Sequence, residues 1–320
     1  MMDLTPEEIS KGFKNKKINK ITTYNLLTSL IENSENEDIR LESIIRLEEI
    51  NIINNELFSF LENLLISDSE RKIRINATKF LTNKFLEKAI NPLKWAIKHE
   101  TDFECLITIS QSLAKINNNE SNLILINEIK KIIKTKYLNK ERKIENKKFR
   151  KVLKKLFKSK NIANFSQEEL AEVLINYLVI SNLINQYPNV YYELDPQIGV
   201  VTELDLSDYM EYEVKGTPFG WKNRIISISE IKGLKYLNFL KKIDLSNNQI
   251  ENVHELVKFG NLTHLILANN KINELKNLEY IRKLPNLEYL DLRRNNIVNK
   301  IDLNEFNSRM RVLLKDSFLH

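Results

Sequence analysis

The feature that most constrains this fold is a leucine motif that recurs along residues 201–297. The motif is L-x-x-L-x-L, two further positions, then Asn, any residue and an aliphatic residue. It is complete at residues 240–250, 262–272 and 287–297, and an earlier copy beginning at Val201 is interrupted. The asparagines of the four copies, Asn223, Asn248, Asn270 and Asn295, are 25, 22 and 25 residues apart.

The motif predicts a stack of short strands. Leu204 and Leu206 alternate with polar residues, so they form the inward face of a strand. A strand this short cannot bury its apolar face alone, and its copies must therefore stack in parallel. Between strands the aliphatic residues fall at every third position, which favours a 3₁₀-like return segment. We expect each Asn to bind backbone groups that no sheet partner reaches.

This motif and its period resemble the leucine-rich repeat family, specifically the short-repeat class of phosphatase-regulatory and related cytoplasmic adaptor proteins. The resemblance implies a short solenoid with a parallel β-sheet on its concave face. It also implies a role in binding other proteins, since families of this kind act mostly as adaptors and scaffolds.

The first part of the chain is predicted to be helical from a capping box at Thr5-Pro6-Glu7-Glu8 to about residue 186. Charged turns followed by Ile-Arg recur at residues 37–40 and 71–74, and Leu47, Leu81 and Leu113 are 34 and 32 residues apart. This pattern of helix pairs resembles HEAT repeats and implies an α-solenoid. An irregular helical bundle is the alternative.

The sequence thus predicts two domains. Residues 1–187 form a HEAT-like α-helical repeat domain, and residues 188–320 form a leucine-rich repeat domain, because Pro188 ends the last helix. The second domain contains an insert at about 207–222 and ends in a cap that includes Phe306, Met310, Leu313 and Phe318. The insert carries Trp221, which either anchors a partner or packs over the junction between the domains.

Outward positions of the predicted strands form the first candidate binding surface. An apolar and aromatic centre with a charged rim is the usual plan of a protein-binding patch, although a solvated sheet face is the alternative. The candidate partner-binding residues are Lys242, Asp244, His264, Ile266, Tyr289, Asp291, Arg293 and Trp221.

Charge is concentrated in residues 130–160, which hold 15 Lys or Arg and two Glu, a net of +13 in a chain whose total is +6. Three interpretations are open: a solvated helix face, a docking surface for an acidic protein, or a phosphate surface for nucleic acid or anionic membrane. The candidate basic surface consists of Lys147, Arg150, Lys151, Lys154 and Lys155.

The sequence carries no recognisable catalytic motif. Four scattered histidines and the single Cys105 give no zinc spacing, and neither a P-loop nor a dinucleotide fingerprint occurs. We therefore expect a non-enzymatic protein without cofactor, metal or small-molecule substrate. A lone cysteine and the lack of a signal-peptide-like start favour a cytoplasmic setting.

Overall fold

The computed structural model describes residues 4–134, 145–187, 190–207, 225–302, 306 and 309–315. Helices come first in the chain, and a sheet follows. The helices before the sheet are α1 (Pro6–Lys14), α2 (Lys20–Asn33), α3 (Glu37–Glu49), α4 (Asn55–Ser67), α5 (Arg71–Phe85), α6 (Ile90–His99), α7 (Phe103–Ile116), α8 (Asn119–Lys134), α9 (Glu145–Ser159) and α10 (Gln167–Gln186). The strands are β1 (Tyr191–Leu194), β2 (Val201–Asp205), β3 (Lys242–Asp244), β4 (His264–Ile266), β5 (Tyr289–Asp291) and β6 (Arg311–Leu313).

The chain divides into two compact units. The first contains residues 1–131 and 165–174, and the second contains residues 132–164 and 175–320. The division falls within α8 and α10, so α9 and the C-terminal part of α10 belong to the unit that holds the sheet. The boundary predicted at residue 188 lies outside the described residues and stays a prediction.

The first unit is built from helix pairs, as the sequence predicts. Helix α1 begins with the predicted capping box between Thr5 and Glu8. Helices α2 and α3, α4 and α5, and α6 and α7 pack as pairs, and α3, α5 and α7 pack on one another in turn. Leu47, Leu81 and Leu113 occupy equivalent positions on these three helices and are completely buried, so the helix-pair prediction is confirmed.

The Ile-Arg positions join each helix pair to the next. Arg40 of α3 forms a salt bridge with Asp68 in the turn after α4, and both side chains are mostly buried. Arg74 of α5 does the same with Glu100 after α6, with Nε 2.8 Å from the carboxylate. Arg74 also donates to the backbone carbonyls of Asp68 and Ser69. The same contact is therefore repeated from one pair to the next.

The second unit contains a six-stranded sheet in the order β1-β2-β3-β4-β5-β6. Strand β1 pairs antiparallel with β2, and all later neighbours are parallel. The central inward side chains lie in register and are at most 1% exposed: Leu204, Ile243, Leu265 and Leu290. The stacked leucine strands predicted by the motif are confirmed.

Buried asparagines tie the repeats together. Asn270 accepts a hydrogen bond from the Ile250 amide at 2.9 Å and donates to the carbonyls of Leu245 and Leu267. Asn248 and Asn295 make the equivalent contacts one repeat earlier and one repeat later. Each side chain satisfies backbone groups of neighbouring repeats, which confirms the expected role. Asn223, the first of the series, lies outside the described residues.

The return segments differ in one repeat. Residues 228–230, 234–236 and 254–258 are 3₁₀ turns, as predicted. The last repeat has an α-helix instead, α11 (Lys276–Arg282), and Leu275 before it is 53% exposed. The equivalent segment of the first repeat contains Gly233 at a φ of 93°, which interrupts a helix. The last repeat has Tyr280 at that position, although the segment 254–258 also lacks glycine and is still a 3₁₀ turn.

The C-terminal end departs from the predicted cap. Phe306 is buried, as expected, but Arg311–Leu313 extends the parallel sheet as β6. Leu313 pairs with Asp291 on the outward side, and Val312 takes the inward position beside Leu290. The motif is absent here, so sequence periodicity gave no sign of another strand. Phe318 lies outside the described residues.

Candidate functional site

The parallel register aligns outward side chains into rows across the sheet. The predicted outward positions on β3 to β5 lie in two such rows, and β1, β2 and β6 add further members. The first row is Glu193, Glu203, Lys242, His264, Tyr289 and Arg311. The second row is Tyr191, Asp205, Asp244, Ile266, Asp291 and Leu313. Apart from buried Asp291 and the exposed Tyr191 and Arg311, these side chains are half-buried.

Three neighbouring strands contribute a stack of rings and a cation. The rings of His264 and Tyr289 lie 5.5 Å apart at an interplanar angle of 22°. The guanidinium of Arg311 lies 5.9 Å from the centre of the Tyr289 ring, within cation–π range. Thr263 Oγ1 is 2.9 Å from His264 Nδ1. These contacts hold the two rings and the guanidinium against one another, next to the outward side chain of Ile266.

The carboxylates of the second row shape the ends of the strands. Asp205, Asp244 and Asp291 each accept a hydrogen bond from the amide two residues later. Asp291 is only 2% exposed and also binds the guanidinium of Arg293. It therefore positions Arg293 and offers almost no surface of its own, whereas Arg293 remains half-exposed.

The Asp244 side chain on this face is partly buried. Burial raises the pKa of its carboxyl group above the ordinary value, and the neighbouring charge of Asp205 acts in the same direction. Hydrogen bonds from Ser246 oppose the shift without cancelling it. Because the charged form is disfavoured, a cation placed beside Asp244 and Asp205 is stabilising.

The basic helix α9 packs against the first strand of the sheet. Its apolar face is buried, with the Phe149 ring 5.5 Å from the Tyr177 ring and 6.2 Å from the Tyr192 ring. Lys148 Nζ lies 2.6 Å from the Glu193 carboxylate and 4.4 Å from the centre of the Tyr191 ring. The basic helix and the outward rows therefore meet at β1.

The predicted basic residues divide by exposure. Arg150 is half-buried. The exposed members of the predicted set are Lys147, Lys151, Lys154 and Lys155. The aromatic insert, with Trp221, and the basic loop at 135–144 lie outside the described residues. Whether the predicted residues contact a partner stays a prediction.

Three residues of this surface escaped sequence reasoning, namely Lys148, Tyr191 and Arg311. Lys148 looked like one lysine among many, and β1 and β6 lack the leucine motif. For Tyr191 a signal was available, because the alternation of Tyr191 with Tyr192 in an extended segment assigns one ring to each face.

Neither a group of metal ligands nor an activated thiol occurs in the part of the chain that the structure describes. No group of three or more His, Cys, Asp or Glu is arranged to hold a metal ion there. Burial raises the pKa of the Cys105 thiol far above its ordinary value, which disfavours the reactive thiolate. Among the same residues, no helix is long and apolar enough to cross a membrane.

The first unit carries one surface feature that the sequence did not single out. Trp95, 43% exposed, stacks on His99 with ring centres 4.1 Å apart. Both rings line a depression of about 190 Å³ whose other walls include Arg74 and Glu100. Arg74 and Glu100 form the salt bridge between neighbouring helix pairs, so part of the wall of this depression is explained by that contact.

Short parallel strands, 3₁₀ return turns and a series of buried asparagines define the sheet-bearing part of the second unit as a leucine-rich repeat solenoid. Residues 260–306 match the family model for leucine-rich repeats, in two copies. The C-terminal part of this chain is a leucine-rich repeat domain. A solved structure with some similarity is that of internalin C2 from Listeria monocytogenes, at 26% identity and a TM-score of 0.24. The match covers 30% of this chain and 38% of that protein.

Proposed function

We propose that this protein is a non-enzymatic adaptor or scaffold that binds a protein partner through the outward rows of the repeat sheet. The observation that carries the proposal is the ordered stack of His264, Tyr289 and Arg311 beside Ile266. Rigid aromatic and arginine side chains next to an aliphatic residue form the type of centre on which protein interfaces depend. Lys242, Asp244 and Arg293 supply a charged rim around it.

In this proposal the helical unit also serves to bind proteins. Its paired helices and the repeated contacts of Arg40 and Arg74 support a HEAT-like solenoid, and solenoids of this kind present extended surfaces. We expect the protein to act in the cytoplasm, where the single Cys105 stays reduced.

The alternative function is binding of RNA, DNA or anionic membrane through residues 130–160. It is favoured by one observation, the exposed lysines of α9. Binding of an oligouridylate or of phosphatidylserine vesicles, lost when these lysines are changed to glutamine, would support this alternative.

The test is affinity capture from the native cell with the double variant Ile266→Glu, Tyr289→Ala. The carboxylate introduced by Ile266→Glu would be buried against the partner without a counter-charge, and the Tyr289 ring would be lost. We therefore expect a loss of partner affinity of at least about tenfold. The matched control is Leu275→Glu with Tyr236→Ala, which makes the same changes on the return segments. Equal capture by both variants, with circular dichroism unchanged, contradicts the proposal.

A further inference from the structure

Four lysines of α9 form one exposed stripe. Lys151, Lys154, Lys155 and Lys158 are spaced i, i+3, i+4 and i+7, so they share a face that extends about 10 Å along the helix axis. All four are exposed, and none has a carboxylate within salt-bridge distance among the residues that the structure describes. The apolar face of the same helix is already buried in the second unit through Phe149.

A band of negative charge begins where this helix meets the sheet. Lys148, one helical turn before Lys151, pairs with Glu193 of β1. The next strands carry Glu203, which pairs with Lys242 at 3.4 Å, and then Asp205 and Asp244. Within the described residues, these last two carboxylates bind serines and backbone amides and lack an ion-pair partner. A positive band on α9 thus borders a negative band on β1 to β3.

The alternation of sign decides which class of partner fits. A nucleic acid or an anionic membrane presents one sign of charge across its whole contact area. It gains from the lysine stripe but is repelled by Asp205 and Asp244 beside it. A protein segment can carry acidic residues at one end and basic residues at the other, and so can complement both bands.

We propose that the lysine stripe continues the binding surface of the sheet and receives an acidic segment of the protein partner, while a basic residue of that partner contacts Asp205 and Asp244. This inference rests on the proposed function and specifies the partner's chemistry. The sheet face and the basic helix, which the sequence offers as alternative binding surfaces, then form one continuous surface.

The experiment uses the full chain and a labelled two-block peptide, in which an oligoglutamate block, a glycine-serine linker and an oligolysine block follow one another. Fluorescence anisotropy compares it with the oligoglutamate block alone, with an oligouridylate of matched charge and with vesicles of phosphatidylcholine and phosphatidylserine. We expect the two-block peptide to bind about tenfold more tightly than either the single block or the oligouridylate, because exposed ion pairs each contribute modestly and add up.

Variants assign the effect to the two bands. Replacing the stripe by glutamine (K151Q, K154Q, K155Q, K158Q) should lower affinity for the two-block peptide about tenfold. Asp205→Asn with Asp244→Asn should reduce it to that of the single block, since Asn keeps the turn contact but not the charge. The matched control changes four exposed lysines of the first unit that lie outside residues 130–160, Lys16, Lys17, Lys79 and Lys98, to glutamine and should bind as the native protein does.

Other outcomes overturn the proposal. Tighter binding of oligouridylate or of the vesicles, lost in the stripe variant, assigns the lysines to phosphate. Equal losses of affinity in the stripe and control variants show that only the net charge of the protein matters. If the two-block peptide does not bind at all, the protein has no site for an acidic segment. If the captured partner is lost with Ile266→Glu but unaffected by the stripe variant, the proposed function stands and this extension of it fails.

Discussion

Single side chains set the geometry of the repeat unit, and the buried asparagines are the clearest case. Asn295 accepts from the Ile272 amide at 3.0 Å and donates to the carbonyls of Leu267 and Leu292 at 2.8 and 3.1 Å. The residue before each of these asparagines has a positive φ, including Arg294 at 57°. Asparagine adopts this conformation more readily than most residues, which explains the Asn-Asn pairs in the two earlier copies.

We predict that Asn295→Ala lowers the free energy of unfolding by about 3 kcal/mol, because it leaves a buried amide and buried carbonyls without partners. Urea denaturation of the full chain, followed by circular dichroism, measures the change. Asn296→Ala is the matched control, because Asn296 is adjacent and exposed; its effect should stay within about 0.5 kcal/mol. Similar losses in both variants would contradict a special role for the buried amide.

Contacts between elements depend on the arginines of α3 and α5. The side chains of Arg74 and Glu100 are 15% and 8% exposed, so the charge of each relies on the other. Lys94 and Glu120 also join neighbouring helices, at 2.9 Å, but both are close to half-exposed. Water screens an exposed pair of this kind, and its contribution is small.

We predict that Arg74→Ala costs about 3–5 kcal/mol of unfolding free energy, since it leaves the carboxylate of Glu100 buried and unpaired. Lys94→Ala, the exposed counterpart, should cost less than about 1 kcal/mol. Urea titration of the two variants measures the difference. Equal costs would show that burial of the Arg74 pair has no energetic consequence.

The same pair predicts a dependence on pH. Burial alone would raise the pKa of Glu100, but hydrogen bonds from Arg74 and from the amides of Asp102 and Thr101 outweigh it and lower the pKa below its ordinary value of 4.5. The stabilisation is therefore present above pH 4.5 and is lost as the pH falls through the lowered value. Glu100→Gln should flatten this acid branch of the melting temperature plotted against pH. An unchanged acid branch in the variant would contradict the assignment.

The elements show how far sequence reasoning reaches. The positions of Leu245 and Leu267, the role of Asn270 and the alignment of His264 with Tyr289 follow from local periodicity, because one register fixes every copy. The placement of Lys148 and Arg311 does not follow, since each depends on a segment outside the motif. The α-helix at 276–282 was missed for a related reason: spacing by threes does not by itself distinguish a 3₁₀ turn from a short α-helix.

At the scale of the whole molecule, the border between the two compact units does not coincide with the border between the helices and the sheet. Helix α9 and the C-terminal part of α10 pack on the first strands of the sheet in the second unit. Phe149 is fully buried there, and Asn176 Oδ1 accepts a hydrogen bond from the Val201 amide at 2.8 Å. The Phe149 ring lies against the Tyr192 ring, so these helices cover part of β1.

This packing yields a prediction about fragments. Residues 145–320 should fold cooperatively, because they keep the cover of the first strands. Residues 188–320 lack the Phe149 ring that lies against Tyr192 and the Asn176 contact to the Val201 amide, and terminal repeats without a polar cover are insoluble or unstable. We expect the shorter fragment to melt at a temperature lower by at least about 10 °C or to aggregate, as uncovered apolar strand edges do. If the shorter fragment is as stable as the longer one, the domain boundary lies at residue 188. The basic helix then belongs with the first part of the chain and is not part of the sheet surface that the proposed partner contacts.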